Sequence, residues 1–374
     1  MVSGNAPPVL DGVGDFTAML LHELARQRPD WEWVWMAKRP RWFQSAWPRR
    51  VGGVRLFRPS HSWSSTGKAI AAAMAARVRP ALLHVQEQIH SFHETDAAVR
   101  IASAVNSPLV TTLHEYHTEL PSVAHTDALV NLSDALISND PRNTDRCRER
   151  TGRNVDLSLW SGTSVAPEFT AADPRPATRP GLVVTFGFLS ALKSLGLIHD
   201  ALRLARRDRP EIRWRIIGPY HPETDPHHAA LGETLAADTD WIELTGGVAD
   251  HARLRGLLAE AAVMVLPFAD GASVRRTTPQ AAWAFGLPVV TTPPDRPTDA
   301  VVDGDNALLV REPAGDAWAA AVSRVLSDRA LAQTLRSGSL RAAERFSWPR
   351  LASEHLALYD ELLGRPSPSR RGRP

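Results

Sequence analysis

The stretch Val265–Thr292, VLPFADGASVRRTTPQAAWAFGLPVVTT, reads as strand, loop, helix, strand. The apolar run Val263–Pro267 fits a buried parallel strand. Asp270-Gly271-Ala272-Ser273 is a small polar turn. Thr277, Thr278 and Pro279 open a helix, with Thr as N-cap and Pro in the first turn. Gly286 closes that helix, and Leu287–Thr291 is the next strand. A helix start of this kind exposes free N–H groups and the positive end of the helix dipole. With Arg275 and Arg276 beside it, it suits an anion such as a diphosphate. An ordinary crossover with a solvated arginine pair has the same local pattern.

Outward from this stretch, strand and helix alternate in both directions. Toward the C-terminus come a strand at Ala307–Val310, helices at Asp316–Leu326, Arg329–Gly338 and Leu340–Phe346, and a long amphipathic helix at Trp348–Leu363. Toward the N-terminus, strands are expected at Trp241–Leu244, Arg213–Ile217 and Leu182–Phe186, and helices at His251–Ala261, Ala229–Ala237 and Leu195–Arg206. Ala171–Pro180 (AADPRPATRP) has no period and reads as an interdomain linker. Before it, strands are expected at Trp31–Ala37, Val54–Phe57, Ala81–Gln86, Leu109–Leu113, Asp134–Ser138 and Val155–Leu159. Helices are expected at Phe16–Gln27, Gly67–Val78, Asp96–Val105 and around Thr144–Arg150. Met1–Gly4 reads as the last residues of a strand cut short at its start. Gly12 and Gly14 then allow close backbone approach ahead of a helix start that again favours an anion. This alternation predicts an α/β protein of two doubly wound parallel domains. Their bounds are 1–170 and 181–347, with the linker at 171–180, the closing helix at 348–364 and a disordered basic tail at 365–374.

The 374 residues are 43% hydrophobic and 22% charged, ordinary values for a globular protein with ample core. Apolar runs are too short for a transmembrane segment and no export signal is visible, which points to the cytoplasm. One cysteine, Cys147, gives neither an internal disulfide nor a metal cluster. The net charge is +2, and four arginines lie in the tail, so the body carries about −2 (2 − 4). The pI of about 9.0 is therefore no argument for nucleic acid. Only three lysines occur, Lys38, Lys68 and Lys193, so a lysine at a motif position is more informative than any arginine. The cluster His221, Asp225, His227 and His228 has metal-binding atoms but lies in a Pro-rich loop, and no metal is expected there.

In order and spacing, several motifs resemble the large family 4 of retaining glycosyltransferases, whose fold is GT-B. DGVGDFT at 11–17 resembles that family's first glycine-rich loop. HVQ at 84–86 and TTLHEYH at 111–117 look like its next active-site loops. WSGTSVAP at 160–167 is similar to its interdomain segment, and GFLSALKS at 187–194 to its Gly-Arg-Leu-Ser-x-x-Lys-Gly loop. Glu243–Phe268 resembles its base-binding loop and following helix, and 270–292 a variant of its signature. ERFSWPRLASEHLALYDEL at 344–362 resembles its closing helix. The resemblance implies two Rossmann-like domains facing a cleft, with the C-terminal helix crossing back to the N-terminal domain.

It also implies site residues. The donor diphosphate would lie at Gly12, Gly14, Lys193, Arg275, Arg276, Thr277 and Thr278. Base and ribose would lie at Gly218, Gly246 and Val248, and the donor sugar at Asp270, Gly271 and Ser273. His114, Asp270 and Lys193 would be catalytic. Acceptor residues would be Asp15, Trp42, His84, Gln86, Glu87 and Glu115; His93 and His117 are weaker candidates. Trp42, Phe43 and Trp47 on the aromatic loop Pro40–Arg50, with loop carboxylates Glu87, Glu94, Glu115 and Glu119, suit a small polar natural-product acceptor, a cationic one included. The implied reaction uses a UDP- or GDP-sugar, retains configuration, and needs neither metal nor other cofactor.

The departures are specific. Two family glutamates, separated by seven residues, correspond by position to Ser273 and Ala281. The family arginine before Leu-Ser corresponds to Phe188, while Lys193 stands at the expected lysine position. A nucleotide-sugar epimerase of the same fold, which needs several carboxylates near the sugar, and a non-catalytic nucleotide-sugar-binding protein are the alternative readings.

Overall fold

A computed structural model describes residues 1–9, 11–40, 49–165, 178–248, 250–273, 276–296 and 298–364. The chain divides into two compact units, one of Met1–Gly162 plus the segment from Ser347 onward, the other Thr163–Phe346. The predicted linker at 171–180 falls largely, and the predicted tail at 365–374 wholly, outside the described residues.

The first unit contains α1 (Gly12–Gln27), β1 (Trp33–Met36), β2 (Arg49–Val51), β3 (Val54–Phe57), α2 (Ser65–Val78), β4 (Leu83–Glu87), α3 (Ala97–Ser103), β5 (Leu109–Leu113), α4 (Val123–Leu132), β6 (Ala135–Ser138), α5 (Pro141–Thr151) and β7 (Leu157–Ser158). Strands run in the orders β1-β3-β2 and β4-β5-β6-β7, parallel except for β2 against β3. The short first strand joins the two runs: Val2 bridges Met36 on one side and Val85 on the other, both in parallel. Thus the predicted stub lies centrally, as the first strand of a doubly wound sheet does.

Three expectations change here. The helix predicted from Phe16 starts at Gly12, because Asp11 caps it: its carboxylate accepts from Gly14 N at 2.7 Å. Gly12 and Gly14 are therefore in a helical first turn and not in a loop. The antiparallel strand β2 and the helix α4 were not foreseen. In α4, Ser122 makes no side-chain cap bond, and Thr126, Leu129 and Val130 carry the buried face. Such a short amphipathic stripe with no start signal is hard to read.

The second unit contains β8 (Leu182–Phe186), α6 (Leu195–Ala205), β9 (Arg213–Ile217), α7 (Pro226–Leu235), β10 (Ile242–Gly246), α8 (His251–Ala259), β11 (Val263–Leu266), α9 (Thr277–Ala284), β12 (Val289–Thr291), β13 (Leu308–Leu309), α10 (Gly315–Ser327) and α11 (Arg329–Arg345). Its six strands are all parallel, in the order β10-β9-β8-β11-β12-β13. Trp214, Trp283 and Trp318 are fully buried. Trp214 donates its indole N–H to Thr185 Oγ1 at 3.1 Å, and Trp283 to the Asn306 carbonyl at 3.1 Å. Helix α7 begins at Pro226, earlier than expected, capped by Asp225 onto His227 N at 2.9 Å. The N-cap of α9 is Arg276, not Thr277, and it makes no side-chain cap bond. The two helices predicted at Arg329–Gly338 and Leu340–Phe346 are one, α11, running through Gly338. That glycine answers a close approach: a Cβ there would sit 2.1 Å from the Asp305 carbonyl oxygen.

The last helix, α12 (Trp348–Gly364), belongs to the first unit. Its Trp348, Leu351, Leu356, Tyr359 and Leu362 share one core with Phe16, Leu20, Leu21 and Leu24 of α1.

Candidate active site

In the second unit, β8 is central: β9 and β10 lie to one side, and β11, β12 and β13 to the other. The order reverses between β8 and β11, and at such a point doubly wound sheets bind ligands beyond the carboxyl ends of their strands. Lys193 bridges Phe268 in antiparallel fashion, Ala269 N donates to Leu192 O at 2.8 Å, and Ser194 N to Pro267 O at 3.1 Å. This clip fixes the loop 187–194 against the loop after β11.

Lys193 points inward. Its side chain is buried, and Nζ donates to the Phe186 carbonyl at 2.6 Å. Burial pulls its ammonium down to about 7, and nearby Arg276 adds to the shift. Gly187 has φ +102°, and a Cβ there would lie 2.6 Å from Thr278 Cγ2 and 2.9 Å from Lys193 Nζ. Gly187, Lys193 and the second residue of α9 therefore converge at one point. The Thr278 hydroxyl is buried there without a hydrogen-bond partner among the described residues. Arg276 lies over the Phe268 ring at 4.2 Å and its guanidinium grips the Asp270 carboxylate. Lys193, Arg276, an unused hydroxyl and a helix start with no side-chain cap thus lie together, the kinds of group that can hold an anion.

Other predicted residues are arranged around it. Gly218 N donates to Gly246 O at 3.2 Å, and a Cβ on Gly218 would sit 2.1 Å from Gly187 O, so the ends of β8, β9 and β10 are drawn together. Val248 follows two residues beyond β10. Ser273 and Ala281 are both buried, Gly271 takes φ +86°, and Phe188 is 75% exposed. Arg275 lies outside the described residues.

In the first unit the predicted residues collect at the carboxyl ends of β4 and β5. His114 follows β5 and is buried. Its Nε2 donates to Gln86 Oε1 at 2.8 Å, and its Nδ1 accepts from Asn139 Nδ2 at 3.1 Å. Gln86 in turn donates to His84 Nε2 at 3.2 Å, and His84 Nδ1 faces Tyr359 Oη of α12 at 2.5 Å. Burial draws His114 and His355 down to about 4 and His84 well below the usual histidine value, so all three are neutral at pH 7.

Glu87, expected on a loop, is the last residue of β4 and fully enclosed. Burial raises its carboxyl to about 7, against the lowering effect of the Thr126 hydroxyl at 3.0 Å. Glu115 accepts from Gln88 Nε2 at 3.0 Å and from His117 at 3.1 Å, and His117 also meets Glu119 at 2.6 Å. Burial lowers His117, but the two carboxylates outweigh it and its value is raised. His93 contacts Lys38, and burial lowers both. Asp15 sits in the first turn of α1 beside Gly12 and Gly14, where Asp11 already accepts from Gly14 N, Asn5 Nδ2 and Ser91 Oγ. Trp42 lies outside the described residues.

The predicted histidine group at 221–228 is used structurally. His228 accepts from His221 N at 3.1 Å and faces the Leu189 carbonyl at 3.1 Å. Among the described residues, no three of His, Cys, Asp and Glu are placed to hold a metal, and no helix is long and apolar enough to cross a membrane. Sequence reasoning missed Asn139, Ser161, Thr126, His355 and Tyr359. For the last two a signal existed: they stand four apart on one face of a helix that is otherwise apolar there.

The structure aligns with the sucrose-phosphate synthase of Thermosynechococcus elongatus at TM-score 0.73 and 18% identity, over 96% of this chain and 98% of that one. It aligns with Anabaena HepE in complex with UDP and glucose at TM-score 0.66 and 16% identity, over 96% and 98%. The fold is GT-B. Residues 180–328 match the family described as Glycosyl transferases group 1, and this segment is a domain of that kind. The curated D-inositol 3-phosphate glycosyltransferase of Jonesia denitrificans is 31% identical over 191 residues, which are 48% of this chain and 42% of the relative. The chain thus spans under half the length of that relative.

Proposed function

We propose that the chain is a glycosyltransferase that moves a sugar from a UDP- or GDP-sugar to a small polar acceptor with retention of configuration. The observation that carries this reading is the anion site of the second unit, where buried Lys193 meets Arg276 and the open start of α9. Such a site suits the diphosphate of a leaving nucleotide, because fixed cations and free N–H groups stabilise the charge as it grows. In this reading these groups take the place of a metal ion. The group 1 domain over the same residues and the UDP held by Anabaena HepE support it.

The acceptor belongs to the first unit, where Glu115 and Glu119, both paired with His117, present carboxylate to a small polar natural product, a cationic one included. His114 is the first unit's substrate-facing residue. The test is thermal stability with UDP-, GDP-, dTDP- and ADP-sugars. A ligand at a hundred times its Kd stabilises by about 2.7 kcal/mol. One donor class is expected to raise the melting temperature, and Lys193→Met to remove the rise. No shift with any nucleotide sugar overturns the reading. Ser273 and Ala281, which replace expected carboxylates, favour a binding protein without turnover as the second reading. Transfer of labelled sugar into a cell extract excludes it.

A further inference from the structure

The hydrogen bonds around His114 form a chain with a direction. A primary amide has one donating and one accepting end, so it transmits the protonation pattern of one neighbour to the next. Gln86 turns its N–H to His84 Nε2 and its oxygen to His114 Nε2. His114 Nε2 must then carry the proton. Asn139 turns its N–H to His114 Nδ1, which must then be bare. The two amides, one in β4 and one just after β6, demand the same tautomer in this orientation. At the far end, His84 Nε2 accepts from Gln86 and faces the Thr112 hydroxyl at 2.7 Å, so its proton lies on Nδ1 and needs an acceptor. Tyr359 Oη supplies one at 2.5 Å. At the near end Asn139 Nδ2 also donates to Ser161 Oγ at 3.1 Å, which holds the amide in place.

We propose that Tyr359 of α12 and Asn139 are positioning residues that lock His114 as its Nε2–H tautomer, so that Nδ1 accepts from a substrate hydroxyl. The inference rests on the reading of His114 as a substrate-facing residue. Burial separates the two edges of the ring: Gln86 is 0% exposed, whereas Asn139 is 9% exposed. The Nε2 edge is the more deeply enclosed of the two. In this proposal a hydroxyl reaches the ring from the Asn139 side and takes over the bond that Asn139 now makes to Nδ1. The tautomer resists piecemeal change: moving one proton or turning one amide alone leaves a donor facing a donor in an enclosed place, so the pattern changes only if both amides and both ring protons move together. Phe16, edge-on to the imidazole at 4.9 Å, fixes the ring plane.

The test is long-range proton–nitrogen NMR of the full chain labelled with nitrogen-15 at histidine. In the parent, His114 is expected to show a protonated Nε2 and a bare Nδ1. Tyr359→Phe strands the His84 Nδ1–H. The expected response is a His84 tautomer change, rotation of the Gln86 amide, and movement of the His114 proton to Nδ1. Asn139→Asp acts from the opposite end and serves where Tyr359→Phe does not fold: a carboxylate there calls for a proton on Nδ1. In transfer assays Tyr359→Phe is expected to lower kcat roughly tenfold, with donor Kd changed less than about twofold. A parent with Nδ1 protonated, or a His114 pattern unchanged in both variants, overturns the proposal. Absence of transfer with every donor would count against the proposed function alone, since the NMR pattern is read without turnover.

Discussion

At the scale of single residues, Lys193 dominates. It is one of three lysines in the chain, and it is the one that the fold buries beside an arginine. Its ordinary value is 10.5 and burial holds it at about 7, so in the free protein it is charged below pH 7 and neutral above. A diphosphate favours the charged form. Donor affinity is therefore full below about pH 7 and falls as pH rises through that value, with proton uptake on binding above about pH 7. Titration calorimetry of the nucleotide diphosphate at pH 7, 8 and 9 reads this, and Lys193→Met should bind weakly with a flat profile over that range. A profile of the parent that is equally flat would mean that the lysine does not meet the ligand. Glu115 is tested on the acceptor side: Glu115→Gln should weaken a cationic acceptor roughly twofold to fivefold and leave a neutral one unchanged, since a surface charge contributes up to about 1 kcal/mol. Equal binding of the cation to both proteins sinks the charge argument. Lys193 was legible because a rare residue stood at a motif position. Asn139 was not, because it becomes a partner of His114 only when β6 pairs with β5, and nothing local to it announces that pairing.

At the scale of elements, strands β8 and β9 match their expected bounds residue for residue: β8 is an apolar run between Gly181 and Gly187, and β9 alternates arginine with tryptophan and isoleucine before Gly218. Helices were harder, and Gly338 shows why. Read locally, a glycine in a polar stretch marks a helix end. In the structure it lies inside α11 because the loop at 302–307 rests against the helix there. That loop is rigid: Asn306 Nδ2 donates to Ala300 O at 2.7 Å, and Val302 N donates to Asn306 Oδ1 at 2.8 Å. Helix propensity alone favours Gly338→Ala by about 1 kcal/mol. The approach of the Asp305 carbonyl, 2.1 Å from where the Cβ would stand, opposes it with backbone atoms that have little room to retreat. Overpacking of this kind costs about 1–3 kcal/mol, so the substitution should lower the melting temperature of the second unit. A rise would mean that the loop yields.

At the scale of the molecule, the chain crosses between its two units twice, and the last crossing carries a stability consequence. Helix α12 follows the second unit in sequence but completes the core of the first. Its Leu351, Leu356, Tyr359 and Leu362 are buried with Phe16, Leu20, Leu21 and Leu24. A fully buried side chain of this size contributes about 1.5–3 kcal/mol. Loss of these four alone approaches or exceeds the whole stability of an ordinary domain, about 5–15 kcal/mol. The second unit keeps its own core around Trp214 and Trp318, to which α12 contributes nothing. A chain ending at Phe346 should therefore lose the protection of β4, β5 and α1 in hydrogen exchange, while β8, β9 and β11 exchange as slowly as in the parent. Thermal shift with nucleotide should survive in that shortened chain, because Lys193, Thr278 and Arg276 all lie in the unit left intact. Equal loss of protection in both units would show that the second unit does not hold its fold without the first, and would place the origin of donor-site stability outside Thr163–Phe346.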